Sequence, residues 1–79
     1  MVYYTVVDEG YDVVIYRSAI AVARFLVSEN AGHLARNEAA ADSENQIARK
    51  LRENDLVYAY GANASDWKYK VKNHTRVKG

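Results

Sequence analysis

A chain of 79 residues with a formal net charge of +1 and 49% hydrophobic residues suits one small domain, burying roughly 60–65% of its unfolded surface. With no cysteine it has neither disulfide nor thiolate zinc site nor thiol nucleophile, which fits a reducing, cytoplasmic setting. The longest apolar run, Ala19 to Ala23, is too short to span a bilayer, and no secretory leader is expected at the N-terminus.

Charge is unevenly placed. Acid exceeds base over residues 1–42 and base exceeds acid over residues 43–79, which predicts one basic face. Val2 to Val7 is β-branched and aromatic and reads as a strand. Asp8-Glu9-Gly10-Tyr11-Asp12 is turn chemistry, with Gly10 the residue expected at positive φ. Val13 to Tyr16 then returns as the second strand of a hairpin. The acids Asp8, Glu9 and Asp12 lack the further ligands of a calcium loop and read as a solvated turn.

Ser18 caps a helix from Ala19 to Val27 in which only Arg24 is charged, so this helix is expected at the centre of the core. Asn30 to Gly32 is its stop signal. His33 to Asp42 is rich in alanine and is compatible with a separate helix, an extension of the next one from a cap at Asn37, or a loop. A break near Asp42-Ser43 is the preferred reading.

Ser43 to Asn54 carries the clearest helix signature. Ser43 and Gln46 form a capping box, and Ile47, Ala48 and Leu51 share one narrow face. Asn45, Gln46, Arg49 and Arg52 point the other way, and these are the residue types that read base edges. Leu56 to Tyr60 reads as a third strand and residues 61–66 as a loop. Trp67-Lys68-Tyr69-Lys70-Val71-Lys72 alternates strictly, which predicts Trp67, Tyr69 and Val71 on the core face and the three lysines on the other. Lysines so spaced either bracket phosphates or guard a sheet edge against aggregation. Residues 73–79 read as a flexible basic tail, and Arg76 and Lys78 there offer further phosphate contacts.

No nucleophile elbow, phosphate loop or His-Glu-x-x-His helix occurs, so neither catalysis nor a metal or cofactor is expected. The seven tyrosines offer stacking surfaces for single-stranded bases, although Tyr58, Tyr60 and Tyr69 alternate as core residues do. Tyr3, Tyr4, Tyr11 and Tyr16 lie on the first hairpin, where any exposed ring equally marks a protein interface.

The order of elements resembles the modular DNA-binding repeat that accompanies HNH and GIY-YIG homing endonucleases, encoded by phages and introns. The matching residues are Val6 through Gly10, Tyr16-Arg17-Ser18 with Ala21 to Leu26, Ser43 with Ile47 and Leu51, and Trp67-Lys68-Tyr69. The resemblance implies that the Ser43 helix is the recognition helix of a helix-turn-helix-like unit.

The sequence therefore predicts one α+β domain over residues 1–79: an N-terminal β-hairpin, two helices with a third as an option, and a C-terminal β-hairpin, the hairpins forming one small sheet. The expected function is non-catalytic duplex-DNA binding. Asn45, Gln46, Arg49 and Arg52 would face bases; Lys50, Lys68, Lys70, Lys72 and Arg76 would face phosphates. The alternative is a small phage-type inhibitor or adaptor that occupies a host protein. Self-association through the first two strands into a homodimer is a third option.

Overall fold

The computed structural model describes residues 3–38 and 40–75. Among these the chain runs β1 (Tyr4–Asp8), β2 (Val13–Tyr16), α1 (Ala19–Ser28), α2 (Glu44–Glu53), β3 (Leu56–Tyr60) and β4 (Trp67–Asn73). The strands form one antiparallel sheet in the order β2-β1-β4-β3. The fold is α+β, with hairpins at both ends of the chain. No described helix is long and apolar enough to cross a membrane.

The first hairpin turns on Asp8. Its carboxylate accepts from the N–H groups of Gly10 and Asp12 at 2.8 and 3.0 Å, and its carbonyl accepts from Tyr11 N–H at 3.0 Å. The left-handed residue is Tyr11 (φ 65°), not Gly10. In a three-residue hairpin loop the left-handed position follows the turn rather than sitting inside it, one residue beyond the glycine.

Helix α1 starts at Ser18, whose hydroxyl accepts from Ala21 N–H at 3.2 Å. It ends in a Schellman motif: Asn30 is left-handed (φ 54°), and the N–H groups of Asn30 and Ala31 bond the carbonyls of Val27 and Leu26. The connection to α2 contains no helix among its described residues. His33 instead exchanges backbone bonds with Tyr60, and Asn37 and Glu38 bond the loop at Ala64 and Asn63. Two left-handed asparagines, Asn37 (φ 58°) and Asn63 (φ 55°), shape these facing loops. The alanines of residues 33–42 favour helix only weakly, and these cross-loop backbone bonds prevail over that preference.

Register separates the two faces of the sheet. The rows Tyr16–Tyr4–Asn73 and Val14–Val6–Val71–Val57, with Tyr69 and Ala59 beyond them, lie on the face that both helices cover. Val22, Ala23 and Leu26 of α1 and Ile47, Ala48 and Leu51 of α2 complete the core. The rings of Tyr16, Phe25 and Tyr69 form a chain along this layer, with centroids 5.8 and 5.1 Å apart. On the helix-free face the rows are Ile15–Thr5–Lys72–Leu56 and Val13–Val7–Lys70–Tyr58.

Two expectations at the C-terminal end need correction. Asn73 is not the start of a tail but the last residue of β4, and it is buried. Its side-chain amide donates to the carbonyls of Leu51 and Arg52 at 2.9 and 3.3 Å, closing the C-terminus of α2. Thr75 N–H in turn bonds the Asn73 side-chain carbonyl. Residues 76–79, and with them Arg76 and Lys78, lie outside the described residues.

Strict alternation also fails in β4. The β3–β4 register shifts between Ala59 and Tyr60, so that Tyr60 pairs with Trp67 while Ala59 pairs with Tyr69. Lys68 is the extra residue of a β-bulge. The bulge takes Trp67 off the core side and sets its ring against Tyr58, at 6.0 Å between centroids. On β3, Tyr60 is buried directly after Ala59, while Tyr58 stays exposed. Tyr58 and Trp67 are therefore not core residues.

Candidate nucleic-acid interface

The expected base-reading residues do come together. Asn45, Gln46, Arg49 and Arg52 line one shallow depression on the outer side of α2, because Ile47, Ala48 and Leu51 turn inward. Several are already engaged. Gln46 Oε1 accepts from Ser43 N–H at 3.0 Å, and Ser43 Oγ accepts from Gln46 N–H at 3.2 Å, which completes the capping box. Arg49 lies 3.8 Å from Glu53 one turn on. Lys50 meets Asp42 at 2.8 Å. Exposed pairs of this kind contribute about 0–1 kcal/mol, so an anionic ligand displaces them at small cost. Their net effect is that the helix surface carries little uncompensated positive charge.

The lysine strand lies elsewhere. Val71 is buried under the helices and Asn73 reaches α2. Lys70 and Lys72 alternate with them and face the helix-free side. Arg49 and Arg52 are thus on one side of the molecule, and Lys70 and Lys72 on the other. The single basic face combining helix and strand is not formed. Lys68 joins neither set: the bulge lets its amine reach the Glu29 carbonyl at the end of α1, 3.2 Å away. Beside it, Tyr69 Oη donates to Glu29 Oε1 at 3.1 Å. Burial, and secondarily the bonded Glu29 carboxylate, raise the Tyr69 pKa above its ordinary value.

The helix-free face has an order of its own. Past Lys72, His74 continues the alternation, and its N–H bonds the Tyr3 carbonyl at 2.9 Å. The His74 and Tyr3 rings stack with centroids 4.4 Å apart and planes within 5°. Thr5 Oγ1 is 3.0 Å from His74 Nε2, which holds the ring over the sheet. At the other end Lys70 Nζ stands 5.8 Å from the centre of the Trp67 ring. Read along β4, the stripe is His74, Lys72, Lys70, Trp67, with Tyr3 and Tyr58 flanking its ends.

Because β4 lies between β1 and β3, Lys70 and Lys72 guard no sheet edge. His74 is the member of this stripe that the sequence reading by segments leaves out, because it falls in the stretch that reads as a tail. Extending the Lys70, Lys72 alternation by one step is the signal that finds His74. Trp67 lies on the face opposite to the one strict alternation predicts, and nothing in the local pattern announces the bulge.

The chain matches no family model, no curated protein and no solved structure. The two helices of the helix-turn-helix-like unit implied by the resemblance are separated by residues 29–43, of which Asn37 and Glu38 bond the loop after β3. Among the described residues no group of three or more His, Cys, Asp or Glu side chains is arranged to hold a metal ion.

Proposed function

We propose that this chain is a non-catalytic module that binds single-stranded nucleic acid across the helix-free face of its sheet. The observation that carries this reading is the stripe of β4, where two lysines in the middle of the sheet are flanked by aromatic pairs at both ends. Bases stack on exposed aromatic rings with about 1–3 kcal/mol each, and cations between the rings follow the backbone. An open face of an antiparallel sheet offers both to an extended single strand. Duplex DNA has its bases already stacked and exposes them only by their edges, which makes it the poorer ligand for this face.

A protein partner is the second reading, favoured by one observation. The β1–β2 half of the same face is apolar, with Val13 and Ile15 exposed and Leu56 exposed at the opposite edge.

The single tryptophan of the chain is the natural probe. Titration with a labelled oligonucleotide, single-stranded or duplex, is followed by Trp67 fluorescence and by anisotropy. Single strands are expected to quench Trp67 and to bind more tightly than duplex. Lys70→Ala/Lys72→Ala and Trp67→Ala are expected to weaken binding, whereas Arg49→Ala/Arg52→Ala leaves it unchanged. Preference for duplex with loss in the arginine variant would move the site to α2. Absence of binding at low salt would sink the nucleic-acid reading and leave the protein partner.

A further inference from the structure

We infer that β2 is a self-association edge, on which a second copy of this chain pairs antiparallel to extend the sheet about a two-fold axis. The inference is independent of what the helix-free face binds. Among the described residues nothing pairs with the outer edge of β2, whereas one end of the opposite edge strand is covered by the His33–Tyr60 bridge. Edge strands are ordinarily blunted by charge, proline or a bulge. Val13 to Tyr16 carries no charge and no proline, and its pairing with β1 is regular. Val13, Val14 and Ile15 are 56%, 52% and 61% exposed, so they present apolar surface on both faces of the sheet, beyond the cover of the helices.

Backbone parity restricts the register, and side-chain character selects within it. Asp8 N–H bonds the Asp12 carbonyl, and hydrogen-bonded pairs alternate along an antiparallel ladder. Val14 and Tyr16 therefore direct their N–H and C=O toward β1, and Val13 and Ile15 direct theirs outward. A two-fold axis at Val14 sets Val13 of each copy opposite Ile15 of the other as hydrogen-bonded pairs. Val14 then meets its own copy on the opposite face. All three cross-strand pairs are apolar. An axis at Ile15 would instead set Arg17 against Val13, and one at Val13 would set Asp12 against Val14.

Charge complementarity points to the same arrangement. The turn end of the hairpin is acidic, with Asp8, Glu9 and Asp12, and the other end of β2 leads into Arg17. Antiparallel pairing brings the acidic end of each copy beside Arg17 of the other, with the exposed Tyr11 ring in the same neighbourhood. Parallel pairing would set like charges together. The two-fold axis runs perpendicular to the sheet, so the helix-free faces of both copies lie on one side of an eight-stranded sheet.

The test is a concentration series of the full chain by sedimentation equilibrium, with Val14→Lys alongside. Wild type is expected to approach twice 8.9 kDa as concentration rises. Two lysines meeting at the axis repel and are expected to weaken the dimer by about tenfold or more. Because Val14 is exposed, the dilute variant is expected to melt like dilute wild type. Amide exchange reads the register: Val13 and Ile15 gain protection with concentration, while Val14 and Tyr16 are protected throughout. A wild type that stays at 8.9 kDa up to millimolar concentration overturns the inference. So does a dimer that survives Val14→Lys with the Val13 and Ile15 amides still exchanging freely.

Discussion

At the scale of single residues, two side chains do work that composition does not advertise. Tyr11 holds a left-handed backbone, a conformation that costs a residue with a Cβ about 1–2 kcal/mol. Its ring is 73% exposed, so little packing offsets that cost. Tyr11→Gly is expected to stabilise the fold by about 1 kcal/mol after allowing for the extra unfolded-state entropy of glycine. That would raise Tm by about 4–8 °C, readable in a dilute thermal melt. Tyr69 acts through its hydroxyl. Its pKa is raised in the fold, so the neutral form is favoured there, while the unfolded chain ionises first. The contribution of Tyr69 is therefore full below about pH 10, the ordinary tyrosine value, and fades as pH climbs through the higher folded value. Tyr69→Phe removes this dependence: chemical denaturation from pH 8 to 11 should show the gap between wild type and variant narrowing above pH 10.

At the scale of elements, caps and termini carry the specification. The Ser18 cap, the Ser43–Gln46 box and the Asn30 stop all follow from short-range residue chemistry, and they bound α1 and α2 within a residue of where the sequence puts them. The C-terminus of α2 is different, because its cap comes from Asn73 at the end of β4, across the fold. Replacing Asn73 by Asp removes both donated bonds and turns a carboxylate toward carbonyls at the negative end of the helix dipole. The expected loss is about 2–3 kcal/mol, larger than for Asn73→Ala and partly relieved at acidic pH as the introduced carboxyl protonates. Urea midpoints at pH 4 and pH 7 check both statements. The bulge at Lys68 is the other element-scale feature. It costs one irregular ladder position, and it transfers Trp67 from the covered face to the open one.

At the scale of the whole molecule, the decisive fact is that the sheet itself separates the two sets of basic residues. Arg49 and Arg52 ride on the outside of a helix layer, and Lys70 and Lys72 lie under the far side of the sheet that this layer covers. One duplex does not contact both. If a single strand lies along β4, each lysine neutralising a phosphate adds about 0.7 to the slope of log K against log salt. Lys70→Ala/Lys72→Ala is then expected to flatten the measured slope by about 1.4, and Arg49→Ala/Arg52→Ala to leave it unchanged. A slope that flattens only in the arginine variant would assign binding to α2.

The fold was largely legible in the chain, because its signals are local. Period-2 runs of β-branched residues, the serine caps and the amphipathic Ile47–Ala48–Leu51 stripe each act within a few residues. The hairpins, both helices and the break before Ser43 follow from them. The composition of the proposed binding surface was also legible, since the lysines of β4 and the aromatic residues around them stand out in the sequence. What only the tertiary structure decided is which of these groups share a face. The bulge, the place of β4 between two other strands, and the bonds of Asn37 and Glu38 to the loop after β3 all depend on partners distant in sequence. Side-chain direction in a sheet reverses with a one-residue change of register, so the face of Trp67 depends on how β3 meets β4. The separation of Arg49 from Lys70 likewise depends on which side of the sheet the helices cover.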